Sequence, residues 1–509
     1  MNHSEPSKPG LRAKTVKSLG AVAGVQLFKK GLSFVVSVLL YRFLSSKDFG
    51  LFALCESYLM FAMIFSDMGI EDAVIQTQAD EPGKVIQTGF VMRIFFTFFA
   101  FLVLFLGAEY LALLVKTPKL AFPLRVVSLT VLTNLIAFKT EMSFKKGLRF
   151  EKFIHSETLA QIASSGIAFV LAWRGYGYWS LVISTIASQF FRVIFLNLQK
   201  PEKLSLEWDW LLAKKIWDKS KYGLLITLLY FALSRLVQFF VADRFGLSRV
   251  GYFYLAFNWS NFFVTYAVQF AGRVVFPAVS KIESDRSRVA KAYTEYLHRV
   301  ALLAVPFSMY LVVLAPQLIP VILGPKWQPA VSLCQMLCLH GLIRALAAPS
   351  QTVLYGLGKF RKSFAFLLIE LFVFLGLIYF LKSLGVTGFI VALIVSKAVG
   401  WVIPTWLVEK ELSQYPVNSL KIILPYLGAG FFLMLGMVLL GNLLEAFRCP
   451  NMLYLFIQIP CGGMIYLTGY YIFHGINLSN LTSLKIDLKT LIQNFLKSAV
   501  SSKSSAPAG

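Results

Sequence analysis

Two adjacent lysines interrupt an apolar run near the start of the chain, in GVQLFKKGLSFVVSVLL. Around them Gln26, Lys29, Lys30, Ser33 and Ser37 recur at three- and four-residue steps, which on a helix puts them along one side. A cation at mid-depth in a bilayer costs at least about 3 kcal/mol on the insertion scale, and a snorkelling stem would have to cover about half of a ~30 Å core. A water-filled cavity that can hold an anionic group answers that cost. A later apolar run carries Thr227, Ser234, Arg235 and Gln238, again a polar side with a cation, and Arg125 stands beside Pro123 near the end of another run.

A second set of residues suits hydroxyl-rich ligands. Asn258, Asn261, Thr265 and Gln269 share one helical face, and Glu56, Met60, Met63 and Asp67 share the matching face of an earlier run. Amides both donate and accept hydrogen bonds, as a sugar does; the same groups can also join helices to one another. Glu370 and Lys397 lie near the middle of two further apolar runs. A carboxylate at that depth is a carrier for a proton or sodium, because its charge is costly there unless an ion neutralises it. The alternative is a structural Glu370 to Lys397 ion pair. Asp67 is a further ion-coupling candidate.

Bond-making chemistry has little support. The chain lacks the G-x-x-x-x-G-K-[ST] spacing that cradles nucleotide phosphates, and it lacks H-E-x-x-H. Cys334, Cys338 and His340 lie close together without a fourth metal ligand, and five scattered cysteines give no disulfide framework. Neither a cofactor nor a metal is expected, and the chain reads as a non-enzyme.

The elements that position these residues are membrane spans. Of 509 residues 57% are hydrophobic and 15% charged, too apolar for a soluble surface that is about a quarter charged. The net charge of +24 sits between apolar runs, so it points to topology and the lipid bilayer, and no nucleic acid partner is expected. A window of about 20 residues predicts an all-α integral membrane protein of about fourteen transmembrane helices. Residues 1–17 form a polar, basic tail, 18–198 hold helices one to six, 222–408 hold helices seven to twelve, 409–474 hold two more, and 475–509 form a second tail. Basic residues collect in alternate connections, seven in 192–221 against Arg244 and Arg249 in the next, and four in 344–362, which places both termini in the cytoplasm. In the linker 199–221, Trp208, Leu211, Leu212 and Ile216 share a face among lysines, the pattern of an interfacial helix.

The two groups of six are related. Arg42-Phe43 matches Arg244-Phe245 and Gly50 matches Gly251, at a displacement of 201 to 202 residues. An even number of spans per repeat inserts both the same way up, so the expected architecture is two pseudo-symmetric six-helix lobes about an axis along the membrane normal, with two C-terminal helices added. A substrate cavity is expected between the lobes.

On LSSKDFGLFAL, FSDMGIEDAVIQ and GLGKFRKS, the chain resembles the polysaccharide-repeat-unit flippases of the multidrug, oligosaccharidyl-lipid and polysaccharide exporter superfamily, in the branch serving colanic acid and other exopolysaccharides. The resemblance implies an undecaprenyl-pyrophosphate-linked glycan as substrate, turned over across the bacterial cytoplasmic (inner) membrane by alternating access. It also implies work alongside a polysaccharide polymerase and export machinery. Independently of that resemblance, Gln26, Lys29, Lys30, Arg125, Arg235, Gln238, Asn258, Asn261 and Gln269 are the substrate-binding candidates. Two rivals remain: a multidrug or other lipid exporter of the same superfamily, whose pocket should be mainly apolar, and a membrane polymerase or glycosyltransferase, which should carry catalytic groups on a substantial outer loop.

Overall fold

The computed structural model describes residue 29 and residues 31–77, 82–146, 150–199, 206–281, 285–413, 418–447 and 449–474. Within helices, some side chains, among them those of 263–278, also fall outside the described residues. No β-strand occurs among the described residues, as a bilayer demands of a chain that does not close into a barrel. In chain order the helices are α1 (Gly31–Phe43), α2 (Ser46–Asp67), α3 (Ile70–Gln76), α4 (Pro82–Leu106), α5 (Ala108–Leu114), α6 (Ala121–Lys146), α7 (Phe150–Trp173) and α8 (Trp179–Asn197). They continue with α9 (Trp210–Lys281), α10 (Arg286–Leu323), α11 (Val331–Gly356), α12 (Phe360–Leu381), α13 (Gly385–Glu411), α14 (Ser419–Ala446) and α15 (Asn451–His474). Ten helical stretches among the described residues are long and apolar enough to cross a membrane, and some of these contain more than one leg, as Phe360–Glu411 does.

Local chemistry fixes the breaks. Ser45 and Asp48 form a capping box that starts α2. The chain reverses inside α9 at Gly246, whose φ of 75° and ψ of 175° are open to glycine and strained for other residues. The first leg of α9 therefore runs to Phe245 and the second starts at Leu247. Between α2 and α3, Met68 and Gly69 both adopt left-handed backbone, and the Asp67 carboxylate accepts the Gly69 and Glu71 amide hydrogens across the break.

Three boundaries depart from the sequence-based expectation. Spans of about 20 residues are expected, yet α6 runs from Ala121 through Glu141 and Lys145 to Lys146. The segment 344–362 was expected to be largely a connection, yet α11 continues to Gly356 and takes Arg344 into its interior. In both places partners inside the protein satisfy the charges that a hydropathy window treats as loop. The linker helix is likewise continuous with the first leg of α9 from Trp210.

Candidate functional site

One end of the molecule is tightly closed. Tyr41 stacks on Phe49 with ring centroids 4.2 Å apart, and Trp327 donates to the Tyr41 carbonyl at 2.8 Å. Arg42 donates to the carbonyls of Ile322 and Val321 at 2.6 and 2.8 Å, and Lys326 returns two bonds of 2.7 Å to the carbonyls of Arg42 and Leu44. These bonds tie α1 to the connection between α10 and α11. At the same end Gly50 of α2 and Gly251 of α9 let the two backbones meet.

Deeper in, polar side chains meet across α2, α9 and α11. Arg235 on the first leg of α9 lies 3.3 Å from the Glu56 carboxylate on α2. One turn away Ser57 donates to Gln238 Oε1 at 2.7 Å, with both side chains buried. On the second leg, Asn261 accepts from Arg344 of α11 at 2.9 Å. Asn258, one turn before Asn261 on the same leg, is half-buried. Tyr230, one turn before Ser234, donates to Gln351 of α11 at 3.1 Å and lies 3.0 Å from the Tyr355 hydroxyl. The seam thus holds Arg235, Gln238, Asn258 and Asn261 among the expected ligands.

The other expected ligands are placed differently. Lys29 precedes α1 and pairs with Glu157 of α7 at 3.1 Å, half-buried. Arg125 sits in the first turns of α6, partly exposed and 2.7 Å from Glu109 of α5, so it faces α5 rather than the seam. Gln26 and Lys30 lie outside the described residues, as does the side chain of Gln269. Among the described residues no group of His, Cys, Asp and Glu is arranged to hold a metal.

Two ionic clusters accompany the seam. Glu370 of α12 and Lys397 of α13 form a buried ion pair. Gly400 makes room for it, since a Cβ there would come within 2.0 Å of a Glu370 carboxylate oxygen. The second cluster joins α2 and α3 to α4, α6 and α8. Arg93 lies 3.6 Å from Asp67 and 3.9 Å from Glu71, Lys145 bridges Glu71 and Glu141, and Arg192 pairs with Glu141. Asp67 therefore belongs to a network of alternating charges. Arg93, Glu71, Glu141, Lys145, Arg192 and Arg344 were not among the expected site residues. Only Glu141 and Lys145 carried a signal, their opposite charges standing at i, i+4.

Polar and charged side chains sealed among membrane-length helices, with one end of the bundle closed, define a membrane transporter fold. The chain is similar in structure to the lipid II flippase MurJ in an inward closed conformation, with a TM-score of 0.70 at 14% identity over 89% of this chain and 98% of that one. It is also similar to an inward-facing multidrug resistance MATE family transporter, with a TM-score of 0.60 at 12% identity over 76% of this chain and 96% of that one. These likenesses establish the fold. Residues 39–332 match the family described as "Polysaccharide biosynthesis protein", and the chain belongs to that family. Its relatives include the lipopolysaccharide biosynthesis protein WzxC of Escherichia coli, 23% identical over 452 residues, 85% of this chain and 90% of that protein. An uncharacterized membrane protein in the cps region of Klebsiella pneumoniae is 22% identical over 396 residues, 76% of this chain and 81% of that one. The succinoglycan biosynthesis transport protein ExoT of Rhizobium meliloti is 24% identical over 347 residues, 68% of this chain and 69% of that protein.

Proposed function

We propose that this protein turns a diphosphate-linked oligosaccharide on an undecaprenyl carrier across the cytoplasmic membrane of a bacterium by alternating access. The observation that carries the reading is the seam itself, in which Arg235, Gln238 and Asn261 lie where α2, the two legs of α9 and α11 converge. Fixed cations suit a diphosphate, with charge-assisted bonds that a neutral side chain cannot replace, and amides suit the hydroxyls of a glycan. A drug exporter's pocket would be mainly apolar. The named relatives and the flippase likeness support the same substrate class.

In this reading the two groups of six helices, 18–198 and 222–408, are the moving lobes, and the closed end faces outward. Both tails are cytoplasmic in this reading, which the excess of basic residues in alternate connections supports. The protein makes and breaks no covalent bond. A proton or sodium gradient, or removal of the product by a polymerase and export machinery on the far side, supplies the work. Glu370, Lys397 and Asp67 are the groups through which an ion would act.

The test is reconstitution of the purified protein in liposomes with a fluorescent oligosaccharide on undecaprenyl pyrophosphate. Translocation exposes the head group to a membrane-impermeant quencher. Quenching that rises with protein and falls in Arg235→Ala is the expected result. Equal quenching in protein-free liposomes, or transport of apolar cations instead, would end the reading.

A further inference from the structure

Two apolar grooves follow one another along the same helix. The first, of about 600 Å³, lies between α4 and the start of α9 and is walled by Trp208, Trp210 and Trp217 with Lys214. The second, of about 300 Å³, lies between α4 and α2, against Tyr58, Phe61 and Phe65. On α4 the first groove uses Val91, Met92, Phe95 and Phe96, and the second uses Phe99, Ala100, Val103 and Leu104. These eight residues are two parallel i+4 rows, so the two grooves lie end to end along one inclined side of α4, forming a gutter. Ala100 and Leu104 form its buried floor. Phe95 and Phe99, 69% and 56% exposed, stand along its open side.

We propose that this gutter carries the isoprenoid tail of the lipid-linked substrate while the head group crosses the polar seam. The identity of the occupant rests on the flippase reading above; the gutter itself does not.

Length selects the occupant. From Val91 to Leu104 the helix rises about 20 Å, and the tryptophan wall extends the path beyond Val91. One leaflet is about 15 Å deep. An acyl chain confined to one leaflet fills one groove, whereas a long polyprenyl chain fills both. Charge gives the orientation, because Lys214 stands at the tryptophan end among Lys215, Lys219 and Lys221. Trp210 is 75% exposed at that end, as an aromatic at a headgroup boundary is. Before the head group enters the seam, a phosphate on the tail's end would meet Lys214 there. Position supports the role too: Phe61 packs on Phe231 and Tyr58 on Phe239, so the upper groove runs beside the contact of α2 with the first leg of α9. A tail held there stays in hydrocarbon next to the seam that its head group enters.

The experiment uses the full chain in nanodiscs and two photoreactive probes: a polyprenyl phosphate with a diazirine in its tail, and a phosphatidylglycerol with a diazirine at its acyl end. Labelled peptides are read by mass spectrometry. The polyprenyl probe should label α4 around Phe99 and Val103, and excess unlabelled polyprenyl phosphate should displace it. Phe95→Gln with Phe99→Gln should weaken that labelling about tenfold. Val103→Trp, which fills the gutter without adding a polar group, should do the same if the first variant does not fold. Lys214→Gln should weaken labelling by the phosphate and leave labelling by uncharged polyprenol as it was. Equal labelling of α4 by phosphatidylglycerol, without displacement, would make the gutter an ordinary lipid contact and overturn the proposal. Labelling kept in a protein that translocates no glycan would remove the flippase reading and leave the gutter standing. Normal labelling by both gutter variants in a protein that does translocate would remove the gutter alone.

Discussion

Gly50 of α2 and Gly251 of α9 contact each other's helices reciprocally. A Cβ built on Gly50 would lie 1.9 Å from the carbonyl oxygen of Leu247, and one on Gly251 would lie 1.9 Å from the carbonyl oxygen of Ser46. Each glycine stands four residues after the carbonyl that its partner meets, and both pairs are offset by the same distance along the chain. This is the contact made by two equivalent helices crossing about a twofold axis. It holds the closed end shut with bare backbone, and side-chain bonds from Arg42, Lys326 and Trp327 surround it.

A methyl group at either glycine cannot be accommodated without parting the helices. Overpacking of this kind costs about 1–3 kcal/mol, here charged to the closed arrangement alone. Gly50→Ala or Gly251→Ala should therefore shift the population away from it by about 5- to 150-fold. Disulfide formation between cysteines placed at Ser46 and Leu247 reads this directly, and its yield should fall. Unchanged cross-linking in both variants would mean that this end does not open.

The register of this crossing was legible in the sequence, because the match of Gly50 to Gly251 needs no structure. The polar seam was legible in part: Arg235, Gln238, Asn258 and Asn261 stood out as polar groups in apolar runs. Arg344 did not, because a run diluted by Pro329 and Arg344 looks like the edge of a loop until Asn261 is seen to accept from it. Glu141 and Lys145 were hidden in the same way. A hydropathy window counts each charge separately, whereas the fold brings opposite charges together and so extends α6 past them. The separation of Arg125 from the seam depends on Glu109, which its position in the chain does not reveal.

Orientation follows from basic residues. Cysteines introduced between residues 206 and 220 should resist a membrane-impermeant thiol reagent in intact cells, and cysteines between 242 and 249 should react. The opposite pattern would invert the helix order and place the closed end inside.

Arg235 is held by Glu56 in this arrangement, so a diphosphate must displace the carboxylate to reach it. Arg235→Ala should abolish polymer export while protein remains in the membrane. Glu56→Gln should instead tighten binding of a soluble diphosphate-sugar head group to the purified protein, since it removes the competing charge. Weaker binding in Glu56→Gln would show that the carboxylate helps to hold the ligand.

Glu370 and Lys397 bury opposite charges against each other, with Gly400 leaving the space. Removing one partner leaves the other charge unpaired at a cost of about 3–5 kcal/mol, so Glu370→Gln should lower both thermal stability and transport. The swap Glu370→Lys with Lys397→Glu separates the two roles. Restored stability and transport would make the pair structural. Restored stability without transport would make Glu370 the coupling site. Gly400→Ala should mimic the broken pair, because its methyl group would strike the carboxylate.

The network of Asp67, Glu71 and Glu141 with Arg93, Lys145 and Arg192 places three carboxylates among three cations. Arg93 also lies over the Phe138 ring, 4.6 Å from its centroid, and its side chain is almost wholly buried. Neutralising one member leaves a neighbour without its partner, whereas neutralising a facing pair does not. Glu141→Gln and Arg192→Gln should each lower the melting temperature, and the double variant should recover much of the loss. The coupling expected of residues in one ionic network is about 0.5–3 kcal/mol. If the two losses simply add, the contact contributes nothing beyond its separate side chains. Arg93→Lys tests geometry as well as charge. An ammonium keeps the charge but loses the planar guanidinium that lies over Phe138 and reaches two carboxylates at once. It should therefore retain less stability than charge alone predicts, and full retention would show that any cation at that depth suffices.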